Sequence, residues 1–355
     1  MLILCSVKTE KQSCKKKPFV VYCLKFVKSD RKDRFLLMGE YGLRVCSKII
    51  VLFIAMLAGF IAKKTKCIDG AGIKTMSALL AFITNPCLIV ASLQTDCKPE
   101  ILVTGAWILL LSFVIHGGMA VCSGLIFKKV KKADERAVYA FGLMYMNCGF
   151  MGYPIMQAMF PENGLLYGVI YTIPFNLFVW THGVAVMSAS HDGGAGEKKI
   201  DWKQVFLNPG LLSTILASVL FITGIRFPGV VTEGLSMVGD MTFPLSMLII
   251  GGLLSDINLL ALITDIRLFL FSVLKLVAVP LAVLGLFVLC GARPNFTVAL
   301  VCVTMCAAPT ASNTAVVAEV YGGNAPLAAK LVGITTLYSL VTMPAMLILA
   351  ERFLI

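Results

Sequence analysis

Apolar runs close to twenty residues long recur along almost the whole chain, separated by short polar or basic stretches. That is the length a helix needs to cross a hydrocarbon core of about 30 Å. The pattern predicts ten helical spans, at about 45–62, 74–95, 101–127, 134–160, 164–190, 204–226, 230–254, 266–291, 295–321 and 327–350. The longest polar interruption after residue 40 covers 191–203, with Gly193, Gly194 and Gly196 in it, and divides the spans five and five.

The two halves resemble one another. Thr84-Asn85-Pro86 in the second span is matched 158 residues later by Thr242-Phe243-Pro244 in the seventh. The fourth span carries Gly149-Phe150-Met151-Gly152-Tyr153-Pro154 and ends at Asn163; the ninth carries Ala307-Ala308-Pro309 and ends at Asn324, 161 residues on. Internal symmetry of this kind marks transporter folds. An odd number of spans per half makes the second half enter the membrane from the opposite side, so the repeats are predicted to be inverted. The domain reading is a basic extension at 1–37, a first repeat at 38–190, a cytoplasmic loop at 191–203 and a second repeat at 204–355.

Composition agrees: 58% of the 355 residues are apolar and 14% charged, against about 45–50% and about a quarter in soluble domains. A soluble enzyme, a disordered chain and a secreted disulfide scaffold are excluded, the last because the 12 cysteines are scattered. The net charge of +12 does not mark a nucleic-acid surface, since +7 of it lies within residues 1–37 and no basic, aromatic-interleaved face follows.

Short-loop Lys and Arg favour the cytoplasm. With the first span starting outside, the inner loops hold fourteen basic residues and the outer segments from residue 38 onward hold six, which gives both termini outside, in the cell membrane. Counting residues 1–37 erases this difference. The expectation is that this stretch is not native translated sequence and that Met38 is the start; the competing reading is a cytoplasmic tail with the N-terminus inside. Intact-mass measurement on the protein from its own organism decides between them.

Gly and Pro inside a span are tolerated mainly where the broken helix lines a protein cavity. Spans four and nine are the clearest interruptions, each broken about 13 residues in, near the interior of the membrane at 1.5 Å per residue. Half-helix N-termini there suit an anionic or carbonyl-bearing ligand. Asn147, Ser312, Asn313, Asn176 and Asn85 fall at similar depth. Each amide has two readings, as a ligand contact or as a partner for backbone groups freed by the local kink. Gly149, Gly152, Pro154 and Pro309 are the candidate helix-break hinges.

Ionisable residues within spans are functional candidates by default. Lys275 and Asp240 come out at similar depth, either as a coupling pair, or as a self-neutralising pair, or with Lys275 snorkelling to the interface. Glu319, six residues beyond Asn313, is a third coupling candidate, expected at the interface. His116 and His182 fall near the inner edge, where a lone His is more often satisfied than functional. Metalloprotease, thiol-redox, hydrolase and Walker-type motifs are absent from the sequence. No enzyme activity, cofactor or metal is expected. Asn295-Phe296-Thr297 is a short match to a glycosylation sequon.

Asn147-Cys-Gly-Phe-Met-Gly-Tyr-Pro154, Pro309-Thr-Ala-Ser-Asn313-Thr, the Asn-Pro of the second span and Asn208-Pro-Gly before the sixth together resemble the auxin efflux carrier family, the bacterial relatives of plant PIN proteins, from about residue 43 onward. The resemblance implies an all-α membrane protein of ten helices in two inverted five-helix repeats, with helices four and nine crossing at Pro154 and Pro309. It further implies a scaffold part and a transport part that alternate in an elevator-like motion. It implies a small organic anion as substrate, such as malate, malonate or auxin, with Asn147, Asn313 and Asn176 at the site. The extension at 1–37 has no counterpart there, and the short inner loop resembles bacterial members, so auxin itself is not favoured. The partners read from all this are the anion, the lipid bilayer and, as an option, a second copy in a homodimer, with no nucleic acid. A membrane-embedded enzyme, or a channel or sensor on the same fold, is the alternative.

Overall fold

The computed structural model describes residues 31–95, 98–189, 209–256, 259–289 and 296–354, with the backbone alone for 31–46 and 259–261. Residues Met1–Glu40 and Tyr41–Ile355 are two separate units, and the second carries the helix packing that builds the core. The expectations for residues 1–30, the 191–203 loop, Asn208 and Asn295 lie outside the described residues.

The described chain is helical, without a named strand among those residues. In order come α1 (Arg31–Lys64), α2 (Gly70–Ser92), α3 (Pro99–Ile126), α4 (Ala133–Met144), α5 (Tyr153–Met159), α6 (Gly164–Ser188), α7 (Pro209–Thr223), α8 (Gly229–Ser255), α9 (Leu259–Thr264), α10 (Ile266–Leu289), α11 (Phe296–Cys306), α12 (Thr314–Tyr321) and α13 (Ala325–Leu354). Six of them, α2, α3, α6, α8, α10 and α13, are long and apolar enough to cross a membrane. Ten spans were expected, the fourth and ninth of them broken, and two of the differences from six lie at those breaks. The predicted spans at 134–160 and 295–321 are each split, into α4 and α5 and into α11 and α12, because Asn147-Cys-Gly and Ala308-Pro-Thr interrupt the helical ladder.

Several of the long helices carry one wide turn: Leu80–Thr84 in α2, Val179–Gly183 in α6 and Leu274–Ala278 in α10. Such π-helical turns leave a local mismatch in the i→i−4 ladder and are frequent at functional sites. The first precedes Asn85-Pro86, whose proline cannot donate to the ladder.

Glycine lets α1 and α8 touch backbone to backbone. A Cβ on Gly251 would lie 1.8 Å from the Met56 carbonyl oxygen, and one on Gly59 would lie 2.2 Å from that of Leu248. Close approach of this kind is how helices associate where lipid supplies no hydrophobic drive. The second half of α2 packs on α7 and on the first half of α8, and α3 packs on α6. The main core runs through α4, α5, α6, α11 and α13, with Val138, Met151, Val169, Val301 and Ile334 fully buried. Against lipid the helices turn residues such as Phe82, Val114, Ile222 and Val341 outward.

Candidate functional site

The two broken helices meet. Met146 and Thr310 form an antiparallel bridge, closed by Asn147 N–H donating to the Pro309 carbonyl at 2.7 Å and Ala311 N–H donating to the Tyr145 carbonyl at 3.0 Å. Backbone that cannot be helical here is satisfied by the other break, as it must be away from water.

Three carbonyls at the end of α4 have identified partners. A helix leaves its last four carbonyls without intrahelical partners. Phe141 O accepts from Tyr145 N at 2.9 Å, Gly142 O from Thr310 Oγ1 at 3.2 Å, and Leu143 O from Lys275 Nζ at 2.6 Å. The Thr310 N–H in turn donates to Thr335 Oγ1 at 3.1 Å, whose own proton goes to Leu331 O at 2.7 Å. α10 and α13 therefore hold the junction from behind.

On its open side the junction walls a cavity of about 240 Å³. All five polar side chains singled out in the sequence line it: Asn85, Asn147, Asn176, Ser312 and Asn313. Asn147 is 4% exposed and caps the turn Cys148–Gly152, its Oδ1 accepting from Phe150 N at 3.3 Å. This cap fixes the amide's orientation and leaves Nδ2 buried without a partner. Asn313 stands at the N-cap of α12 yet makes no side-chain cap bond, and its Oδ1, like that of Asn85, is buried without a partner. Unmade hydrogen bonds of this kind cost about 1–3 kcal/mol each, so three in one cavity wall are groups held ready for something polar.

The hinge candidates divide. Pro309 and Gly149 are at the junction and its cavity, and Gly152 packs so closely that an added Cβ would meet Met305 Sδ at 2.7 Å. The resemblance implies Pro154 at the crossing. This proline sits in the first turn of α5, seven residues past Asn147, where its missing N–H is one of the helix's spare donors anyway. The junction is set by Tyr145–Asn147, whose extended backbone starts where α4 ends.

The coupling candidates do not come together. Asp240 and Lys275 form no pair, and Lys275 does not snorkel. Gly239 faces α2, where a Cβ would lie 2.7 Å from the Leu88 Cα, so the next residue on α8 turns outward and Asp240 is exposed. Lys275 is fully buried and spends its donor on Leu143. Glu319 is exposed on α12, away from the cavity. His116 is fully buried, its Nδ1 2.8 Å from the Ser112 carbonyl and its ring among Tyr171, Phe175 and Phe178.

Sequence reasoning gave no site role to other wall residues, among them Phe150, Tyr153, Thr172, Phe175 and Trp180. A signal was present, because Thr172, Asn176 and Trp180 follow at intervals of four and so share one face of α6. Tyr153 OH lies 2.7 Å from Thr172 Oγ1, whose proton goes to Val169 O, so the phenol donates. The cavity wall thus carries both amides and aromatic side chains.

A family profile described as membrane transport protein matches residues 44–347. The chain belongs to this family, the auxin efflux carriers that its motifs resemble. It is 23% identical over 300 residues to an uncharacterized transporter of Methanothermobacter thermautotrophicus, covering 83% of this chain and 95% of that protein. It is likewise 23% identical over 215 residues to an uncharacterized transporter of Methanocaldococcus jannaschii, covering 57% of this chain and 67% of that one.

Proposed function

We propose that this membrane transport protein is a secondary transporter of a small organic anion, with Asn147, Asn313, Asn176, Asn85 and Ser312 in contact with the substrate. The observation that carries the reading is the cavity at the joined breaks, where Asn147 Nδ2 is a buried donor with no partner among the described residues. A carboxylate oxygen is the acceptor such a group lacks. The size supports a small acid, since pockets for drug-sized ligands run about 300–1,000 Å³ and this one holds about 240 Å³. Its aromatic lining residues, Trp180, Phe175 and Phe150, suit the apolar body of such an acid.

In this reading the ten sequence spans form two inverted repeats, 38–190 and 204–355, in the cell membrane with both termini outside. The junction carries the substrate across by elevator-like alternation between a scaffold part and a transport part. The carrier reading predicts saturable uptake and counterflow of labelled acid in proteoliposomes. Uptake that rises linearly with concentration and shows no counterflow would mark a channel instead.

A further inference from the structure

Lys275 lies in the wide turn Leu274–Ala278 of α10, fully buried, with Nζ 2.6 Å from the Leu143 carbonyl. A buried ammonium is costly unless compensated. Among the described residues the two ion pairs lie elsewhere, Lys63 with Asp256 and Lys132 with Glu135. The titratable groups that interact with Lys275 are the Cys148 and Cys306 thiols and His116, none of them a carboxylate. Its compensation is the C-terminal end of α4, where the helix dipole presents roughly half a negative charge, through a bond short enough to be charge-assisted. In its ammonium form Lys275 leaves a positive remainder behind the wall where the two breaks join.

That wall belongs to the cavity. Leu143 precedes the lining residue Met146 by three positions, so their Cα atoms are within about 11 Å at 3.8 Å per residue. Cys148, which interacts with Lys275, lines the cavity itself. Among the described residues the lining carries no Asp, Glu, Lys or Arg. That surface is neutral, and the Lys275 ammonium polarises it from behind.

We propose that Lys275 is the charge-specificity determinant of this site: it acts through space, and the carboxylate of the substrate supplies the counter-charge that the protein leaves out. This rests on the organic-anion reading. At about 10 Å and an effective dielectric of about 20, a remainder of about half a charge is worth on the order of fourfold in affinity for an anion. A neutral molecule of the same shape gains nothing from it.

The test is equilibrium binding, to the purified full chain in detergent, of labelled malonate against malonamide and labelled indole-3-acetate against indole-3-acetamide. In Lys275→Gln the acid is expected to weaken about fourfold while its amide is unchanged; in Lys275→Arg the preference for acid is expected to persist. A Gln variant that weakens acid and amide alike, or neither, overturns the proposal. So does an Arg variant that loses the preference with the charge kept, and that comparison stands alone if the Gln variant does not fold. If the unmutated protein binds neither acid, the organic-anion reading falls and takes this proposal with it. If it binds an acid that Lys275→Gln binds equally well, the lysine's role alone falls.

Discussion

Asn147 and Pro309 are joined by a 2.7 Å hydrogen bond from the backbone N–H of the first to the carbonyl of the second, although they lie on different broken helices. The bond places the capped turn after Asn147 and the N-cap residue Asn313 on the same cavity. It also separates what Asn147 does for the fold from what its amide offers a ligand. Its backbone belongs to the junction, its Oδ1 to Phe150, and its Nδ2 to nothing among the described residues.

Asn147→Asp tests that division. The carboxylate keeps an acceptor for Phe150 N and turns the free donor into a second acceptor facing the substrate carboxylate. Monodisperse protein with acid uptake reduced more than about tenfold is expected, the loss of a hydrogen bond to a charged group costing about 1.5–3 kcal/mol. Unchanged uptake would remove Asn147 from the substrate contacts.

Behind the junction, Thr335→Val replaces a hydroxyl with a methyl of similar shape and leaves Thr310 N–H without its partner. Thr335 is fully buried, so no water replaces the bond, and stability is expected to fall by about 1–3 kcal/mol. Thermal unfolding of the purified protein reads this directly. An unfolding temperature equal to that of the unmutated protein would show that the α13 brace is not part of the junction.

Two glycines on different helices make a paired control. Gly251→Ala would push a methyl into the Met56 carbonyl at 1.8 Å, whereas Gly117→Ala on α3 meets nothing within 4 Å. The first should force α1 and α8 apart, at about 1–3 kcal/mol or more. The second should be neutral or gain up to about 1 kcal/mol from helix propensity. Both are read as changes in unfolding temperature, and equal effects would contradict the backbone contact.

Orientation is open to chemical labelling, because Cys67 lies exposed in the turn between α1 and α2. With both termini outside, this turn faces the cytoplasm. In a variant that keeps Cys67 alone, a membrane-impermeant maleimide should react only after the cells are permeabilised. Labelling in intact cells would reverse the topology.

The chain announces its breaks openly. In apolar runs where lipid penalises unsatisfied backbone, Asn147-Cys-Gly and Ala308-Pro-Thr-Ala-Ser-Asn313 stand out, and their depth follows from 1.5 Å per residue. Depth alone also brought Asn85 and Asn176 to the same level as the breaks, and both line the cavity. Rotation of one helix against another is a different quantity. Asp240 and Lys275 match in depth and fail to meet, because Gly239 turns toward α2 and sends its neighbour outward. What Lys275 does touch, a carbonyl 132 positions away, depends on where α4 ends and how α10 packs beside it. The aromatic half of the wall was obscured for a related reason, since Phe and Trp in an apolar run carry no contrast. Only the four-residue spacing from Thr172 to Trp180 sets that face apart.

The central claim is that the joined breaks bind and move a small carboxylate. Uptake of labelled malate, malonate and indole-3-acetate into proteoliposomes, with and without an imposed pH gradient, tests it most directly when unmutated protein is set beside Asn313→Ala. Saturable uptake of at least one acid, lost in the variant while the protein stays folded, is the predicted result. No uptake of any of the three by folded, monodisperse protein, or equal uptake by Asn313→Ala, would contradict it.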